Sequence, residues 1–314
     1  MRAMTAMTAM TAMTAKRHPQ PPAALHAPLL DWFEAHARDL PWRRRGEQPR
    51  QGWPVLVSEV MLQQTPVARV LPVFATWLTR WPTPADLAAD TPGEAVRLWG
   101  RLGYPRRALR LHAAATVCVQ RHGGRVPDSH DDLLALAGVG TYTAAAVASF
   151  AYGQRHAVLD TNVRRVLARL VDGREYEPAG APTVAERTAA EALLPAEPAT
   201  AARWSAALME LGALVCTARS PRCGDCPLAD LCSWRLLGKP GWDGPARRGQ
   251  SYAGTDRAVR GLLLGPLRAT AGPVSRAALD GVWPDAVQRE RCLDSLVADG
   301  LAEPLPDGTF TLPR

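Results

Sequence analysis

No apolar run in the chain approaches the ~18 residues that a membrane-spanning helix needs. The first sixteen residues also lack the apolar stretch of a secretory signal, since Ala-Met-Thr repeats four times from Ala3 to Thr14. Residues 1–24 therefore read as a disordered, low-complexity tail, and a cytoplasmic location is the default expectation, with no membrane partner. Cysteine is scarce, six in 314 residues. In a reducing compartment a tight group of cysteines points to metal and not to disulfides. Strand-like alternation is nearly absent before residue 300, which leaves an all-α core.

What is present is ordinary for a globular protein, with 47% hydrophobic and 21% charged residues. The length allows one large domain or two modest ones. A formal charge of +7 and a pI of about 9.4 favour polyanions, nucleic acid first among them. A solvated basic surface explains the same charge equally well.

Amphipathic segments punctuated by Pro and Gly predict helices over Leu25–Ala37, from Pro54 to before Pro66, and over Val67–Leu78, Gly93–Trp99 and Arg106–Gln120. Further helices are predicted over Asp131–Ala137, Thr141–Tyr152, Val163–Leu170, Val184–Leu194 and Ala201–Val215. Residues 233–255 carry Gly, Pro and charge and read as a linker. Helices near Asp256–Arg268, Val274–Val282 and Asp285–Asp299 follow, then a hairpin around Asp307-Gly308. Residues 256–314 thus suggest a small winged-helix-like α+β module, a pattern that serves DNA or protein binding and also occurs as inert packing.

Four cysteines, Cys216, Cys223, Cys226 and Cys232, form the spacing C-x6-C-x2-C-x5-C. Thiolates at such spacing hold either zinc or an iron–sulfur cluster, and spacing alone leaves both open. Cys118 and Cys292 sit in helical apolar patterns and read as buried thiols. Gly138-Val139-Gly140 lies between two helical patterns. Two glycines make a tight turn there and would let N–H groups at the next helix start approach a phosphate. Glu59 and Gln63 share one face of a helix, on which Glu59 reads as a solvated carboxylate near the helix start or as a functional acid. Asp160 precedes the periodic Val163, Val166, Leu167 and Leu170. It reads as an N-cap whose ionised form the helix dipole favours.

Leu208-Met-Glu-Leu-Gly-Ala-Leu-Val-Cys216, followed by the cysteine spacing, resembles the end of the endonuclease III and adenine glycosylase superfamily, and the likeness runs from Leu29 to Cys232. The resemblance implies a two-lobed helix–hairpin–helix DNA glycosylase core over residues 25–232. It makes the quartet a structural [4Fe–4S] site in loop 216–232, orienting Arg219, Arg222 and Arg235 toward DNA phosphate. Gly138, Val139 and Gly140 resemble the DNA-gripping hairpin, with Ala137 where relatives carry Pro.

Ser-Glu-Val-Met-Leu-Gln-Gln-Thr65 is similar to the signature of adenine DNA glycosylases. By that likeness Glu59 protonates adenine at N7 and positions water, and Gln63 enters the base stack. Leu159-Asp-Thr-Asn-Val163 resembles the family's Leu-Asp-Gly-Asn-Val, with Thr161 in place of Gly. There Asp160 stabilises the oxocarbenium ion, by charge or through a transient covalent bond, and Asn162 supplies a hydrogen bond. Tyr142 stands where the bifunctional endonuclease III type carries the Lys that forms a Schiff base. A tyrosine cannot form one, which implies a monofunctional enzyme in which Tyr142 assists the transition state.

Tyr104 matches an intercalating Tyr, with Pro105 where relatives have a second Tyr. Arg38, Trp42 and Arg43 match residues lining the adenine pocket. Ala206 replaces a Gln or Glu that faces the base. The implied activity is removal of adenine mispaired with 8-oxoguanine or guanine in double-stranded DNA, by a monomer. The residues beyond the cysteines are too few and too helical for the β-rich 8-oxoguanine-reading domain of many relatives. A thymine-removing G:T glycosylase and a non-catalytic iron–sulfur DNA-binding protein are the alternatives. Glu59 with Gln63-Gln64 argues against the first, and Glu59, Asp160 and Tyr142 against the second.

Overall fold

A computed structural model describes residues 22–43, 52–244 and 252–314. The tail expected over residues 1–24 falls outside the described residues up to residue 21, and Pro22 already opens the first helix. Fifteen α-helices and one small hairpin are present among the described residues. In order they are α1 (Pro22–His36), α2 (Gly52–Leu62), α3 (Val67–Arg80), α4 (Pro84–Ala89), α5 (Pro92–Trp99), α6 (Arg106–Arg121), α7 (His130–Leu134) and α8 (Thr141–Tyr152). Then come α9 (Thr161–Leu170), α10 (Val184–Leu193), α11 (Pro198–Leu214), α12 (Ser233–Leu236), α13 (Asp256–Ala269), α14 (Arg276–Asp280), α15 (Ala286–Ala298), β1 (Glu303–Pro304) and β2 (Phe310–Thr311).

Helix starts follow local chemistry. Thr83 and Thr183 each close a capping box, with Asp86 and Glu186 respectively, so that two orphan N-terminal groups are satisfied reciprocally. Pro84 and Pro92 occupy first-turn positions, where a missing N–H costs nothing. The helix expected to run to Ala137 ends at Leu134, because the chain turns there toward Gly138, whose φ of +78° is the left-handed region.

Among the described residues two large apolar cores are present, with a small third cluster of Ala145, Ala146 and Val158. One is built from α2–α8, with Trp53, Trp77, Trp81 and Trp99 at its centre. The other joins α1 to α9, α10 and α11 around Trp204 and Leu208. Helix α1 is thus separated from its sequence neighbour α2 and strapped onto the second lobe, where His26 Nε2 lies 2.8 Å from the Leu193 carbonyl and its ring meets Trp204 edge-on. Helix α8 touches both lobes, packing on α2 and on α11. Its run of small residues, Thr143 to Ser149, permits that close approach on both sides.

The last module has three helices and an antiparallel hairpin pairing Glu303 with Thr311 and Pro304 with Phe310. Gly308 turns it at φ +79°, and Asp307 accepts hydrogen bonds from the Thr309 N–H and hydroxyl. The middle helix is shorter than expected. Val274 bridges to Phe310 instead of entering α14, and Ser275 caps the helix. Val259, Leu263, Leu267, Leu293 and Leu312 of this module belong to the same apolar core as the first lobe. The expected linker is also partly ordered, since Trp234 in α12 is buried and donates its indole N–H to the Pro240 carbonyl. An aromatic side chain that finds both an apolar bed and an acceptor is held in place. Residues 245–251 of that segment lie outside the described residues.

Candidate active site

Helix α2 is buried on nearly every side, from Trp53 through Met61, and Glu59 is buried with it at 5% exposure. Of the two readings of this carboxylate, the solvated one is therefore excluded. A buried acid needs a partner, and Tyr142, in the first turn of α8, donates its hydroxyl hydrogen to Glu59 Oε2 at 2.9 Å. Burial pushes the Glu59 carboxyl up to about 7. The Tyr142 hydrogen bond and the Arg43 charge pull against that rise, while the Asp160 charge adds to it. Burial also raises Tyr142 well above its ordinary value, so the phenol stays neutral and remains a donor. Glu59 at neutral pH is thus divided between its acid and its base form.

Asp160 caps α9 from the second lobe, with Oδ1 accepting the Val163 N–H at 2.7 Å and Oδ2 accepting from Asn162 Nδ2 at 2.8 Å. Burial raises its pKa, opposed by those two donors and by the Arg165 charge. A helix dipole alone would not hold this buried carboxylate ionised, and the extra donors are what oppose its desolvation. Behind it, Arg165 donates from Nη2 to Asn162 Oδ1 at 2.8 Å and to the Gly212 carbonyl at 2.7 Å, and from Nε to the Cys216 carbonyl at 2.9 Å. Gly212 is required for this approach, because a Cβ there would stand 2.8 Å from Asn162 Cβ.

Glu210 is a feature the sequence reading missed, although it lies inside the quoted Leu208–Cys216 motif. It has no solvent exposure, and Arg38 binds it with Nε at 2.8 Å, Nη2 at 2.7 Å and its backbone N–H at 2.9 Å. Arg43 Nη2 adds a further bond at 2.8 Å. These cations hold the Glu210 carboxyl down to about 2 against its burial. The signal was a lone acid inside an apolar run, which must be paired when buried. Trp42 packs edge-on against Phe74 in the first-lobe core, at 5.1 Å between centroids, and does not stand free in the cleft.

Gln63 turns toward α8, with Nε2 3.4 Å from Thr143 Oγ1, while its neighbour Gln64 is the exposed one and has φ +54°. A non-glycine residue in that region carries strain that a functional site tolerates. Tyr104 is also left-handed at φ +47°, and 43% exposed. Buried Arg107, likewise unforeseen, ties the two turns together. It donates to the carbonyls of Val60, Met61, Gln63 and Gly103 and to Thr65 Oγ1. In the hairpin between α7 and α8, Gly138 packs where a Cβ would meet the Arg110 side chain at 2.8 Å. Gly140 starts α8 without a side-chain cap, leaving first-turn N–H groups available to a phosphate.

The four cysteines Cys216, Cys223, Cys226 and Cys232 line one apolar cavity with Val215, Pro221, Ala229 and Trp234. Arg169 lies beside it, 1% exposed, with Nη1 3.3 Å from Cys216 Sγ and its guanidinium 4.8 Å from the Trp234 ring. None of the six cysteines is paired in a disulfide. Among the described residues no three metal-ligating side chains converge on a point where one ion could sit. Four cysteine side chains lining one cavity are a donor set that fits a four-thiolate cluster. Arg169 supplies positive charge against the thiolates. Of the basic residues expected beside the loop, Arg219 is exposed, Arg222 donates to the Leu214 carbonyl, and Arg235 pairs with Asp230.

Residues 57–179 match the HhH-GPD superfamily of base excision DNA repair proteins, and residues 216–232 match the iron–sulfur binding domain of endonuclease III. The adenine DNA glycosylase of Mycobacterium tuberculosis is 56% identical over 286 residues, 91% of this chain and 92% of that protein. The chain belongs to the adenine DNA glycosylase family. The Mycolicibacterium smegmatis member is 54% identical over 285 residues, 90% of this chain and 94% of its own. The Homo sapiens member is 42% identical over 217 residues, which cover 68% of this chain and 39% of the human protein.

Among solved structures, a thermostable thymine-DNA glycosylase superposes with a TM-score of 0.61 at 28% identity, covering 69% of this chain and all but a little of its own, 97%. A trapped endonuclease III–DNA covalent intermediate, at 23% identity and a TM-score of 0.57, covers 70% of this chain and 100% of its own and shares the fold. The chain is therefore a DNA glycosylase of base excision repair that binds DNA and carries a [4Fe–4S] cluster in its C-terminal cysteine loop. Among the described residues no helix is long and apolar enough to cross a membrane.

Proposed function

We propose that the enzyme hydrolyses the N-glycosidic bond of adenine mispaired with 8-oxoguanine or guanine, without cleaving the strand. The reading rests on one observation. Glu59, poised at about 7 and hydrogen-bonded to Tyr142, is close enough to Asp160 to feel its charge. Two carboxyls with different environments can divide acid and stabiliser roles, as in glycosidases. Adenine must first leave the stack to reach them. Glu59 then gives its proton to N7 of the base, and the bond from C1′ to N9 breaks with its electron pair going to adenine. The ionised Asp160 opposes the positive charge left on the sugar, held in register by Asn162 and the Val163 N–H. Water adds at C1′ and returns a proton to the Glu59 carboxylate.

Tyr142 offers no amine, so no Schiff base forms and the strand survives until alkali is added. Cys216, Cys223, Cys226 and Cys232 would hold the cluster, which would order the loop carrying Arg219 and Arg222, and none of these steps passes through it. The working form is a monomer, since both carboxyls and both lobes come from one chain, and it acts on DNA in the cytoplasm. Purified enzyme is assayed on duplexes carrying adenine or thymine opposite guanine and 8-oxoguanine, with and without alkali. Breaks at adenine only after alkali are expected. Cleavage at thymine and not at adenine would overturn the proposal.

A further inference from the structure

The C-terminal module reaches the Tyr104 turn through Arg257. This residue sits in the first turn of α13, where a cation opposes the helix dipole, so helix stability does not account for it. The acid beside it, Asp256, is taken by Arg291 and Gln288. Arg257 instead donates from Nη1 to Tyr104 Oη at 3.1 Å and lies 5.2 Å from the ring centre of Tyr252. Its guanidinium is 6.0 Å from the Tyr104 ring centre, the outer limit of a cation–π contact, so the hydroxyl is the anchor. Tyr104 and Tyr252 are 43% and 57% exposed, large fractions for aromatic rings. The module cannot drift away from this contact. Arg97 caps the end of α13 through the carbonyls of Leu267, Arg268 and Thr270, and Asp299 is held by both Arg106 and Arg260.

We propose that Arg257 is a positioning residue for Tyr104, and that Tyr252, Arg257 and Tyr104 form a stacking surface for the nucleobase left unpaired when adenine is extruded. Tyrosine rings and a guanidinium plane are the groups on which unstacked bases lie, whatever their sequence. The row is continuous with Tyr104, and the proposal rests on the reading above that Tyr104 enters the duplex.

The test uses full-length, cluster-loaded enzyme and a duplex carrying 2-aminopurine opposite 8-oxoguanine, whose fluorescence rises on extrusion. Arg257→Ala and Tyr252→Ala are each expected to lose about five- to tenfold in duplex affinity, with a smaller fluorescence rise. The loss should shrink below about twofold when an abasic site replaces 8-oxoguanine, because no base remains to stack. Arg257→Lys keeps the charge without the plane and should recover only part, and full recovery would mean that charge alone matters and overturn the stacking role. Unchanged melting temperatures exclude misfolding. If Tyr104→Ala is impaired while Arg257→Ala and Tyr252→Ala match the wild type on both duplexes, the proposal fails by itself. If Tyr104→Ala also matches the wild type, the reading that Tyr104 enters the duplex fails and this proposal with it.

Discussion

Replacing Glu59 by Gln should remove activity and at the same time stabilise the protein, by an amount that depends on pH in a defined way. In the unfolded chain the carboxyl ionises near its ordinary 4.5, and in the fold it does so at about 7. Between those values the unfolded chain has released a proton that the folded chain still holds, so folding is penalised as pH rises. Each pH unit across that window costs about 1.4 kcal/mol, and the full penalty above pH 7.5 is about 3 kcal/mol. The Glu59→Gln side chain would keep an acceptor for the Tyr142 hydroxyl and has nothing to ionise. Thermal unfolding of the two proteins from pH 5.5 to 8.5 should therefore show a stability gap in favour of the variant that widens by about 2 kcal/mol and levels off above about pH 7.5. That is several degrees in Tm for a chain of this size. A gap that stays constant across the range, or a wild type that is the more stable at pH 8.5, refutes the assignment of a buried, high-pKa Glu59.

Tyr142→Phe removes a hydrogen bond that favours the ionised Glu59, so the descending limb of the pH–rate profile should move up from about 7 by about one pH unit. A limb that stays or moves down contradicts the pairing. Asp160→Asn retains a capping side chain and should bind duplex normally while base release under single turnover falls by a factor of about 1,000 or more; release at the wild-type rate removes Asp160 from the chemistry. Glu210→Leu leaves Arg38 and Arg43 without their shared acceptor. A fully buried pair would lose about 3–5 kcal/mol, and about 2 is expected here because both arginines reach solvent. Urea titration measures it, and an unchanged midpoint shows that the clamp contributes nothing. Glu210→Gln, which keeps part of the hydrogen bonding, should recover most of that stability.

Periodicity and punctuation are enough to locate most helices. The predicted segment Thr141–Tyr152 has its structural limits, and the α3, α5 and α6 predictions end within a few residues of the observed helices. Short elements are less legible, because a five-residue helix such as α14 leaves too brief a pattern and its neighbour Val274 is claimed by a strand bridge. Helix α2 misleads for the opposite reason. A helix buried all round has no polar face, so Glu59 cannot be recognised as an interior acid from its spacing. The clamp on Glu210 and the Arg107 knot join residues distant in the chain, 172 positions for Arg38 and Glu210, and nothing local encodes such pairs. Gln64 and Tyr104 carry positive φ where sequence offers only ordinary side chains. Resemblance directs attention to Glu59, Asp160 and Tyr142, and geometry then supplies what a motif lacks: which hydroxyl meets which oxygen, and how far burial moves the acid.

Because Val259, Leu263 and Leu312 pack into the same interior as Trp77 and Trp99, the C-terminal module is not an appendage that can be exchanged like a cassette. Cutting the chain ahead of α13 would strip one wall from the lobe that carries Glu59 and leave an oily scar open to water. A shortened enzyme would lose solubility and folding yield before any question of DNA contact arose. A change in the last sixty residues or so is accordingly felt in α5, and a tail taken from another protein would need its docking helices as well.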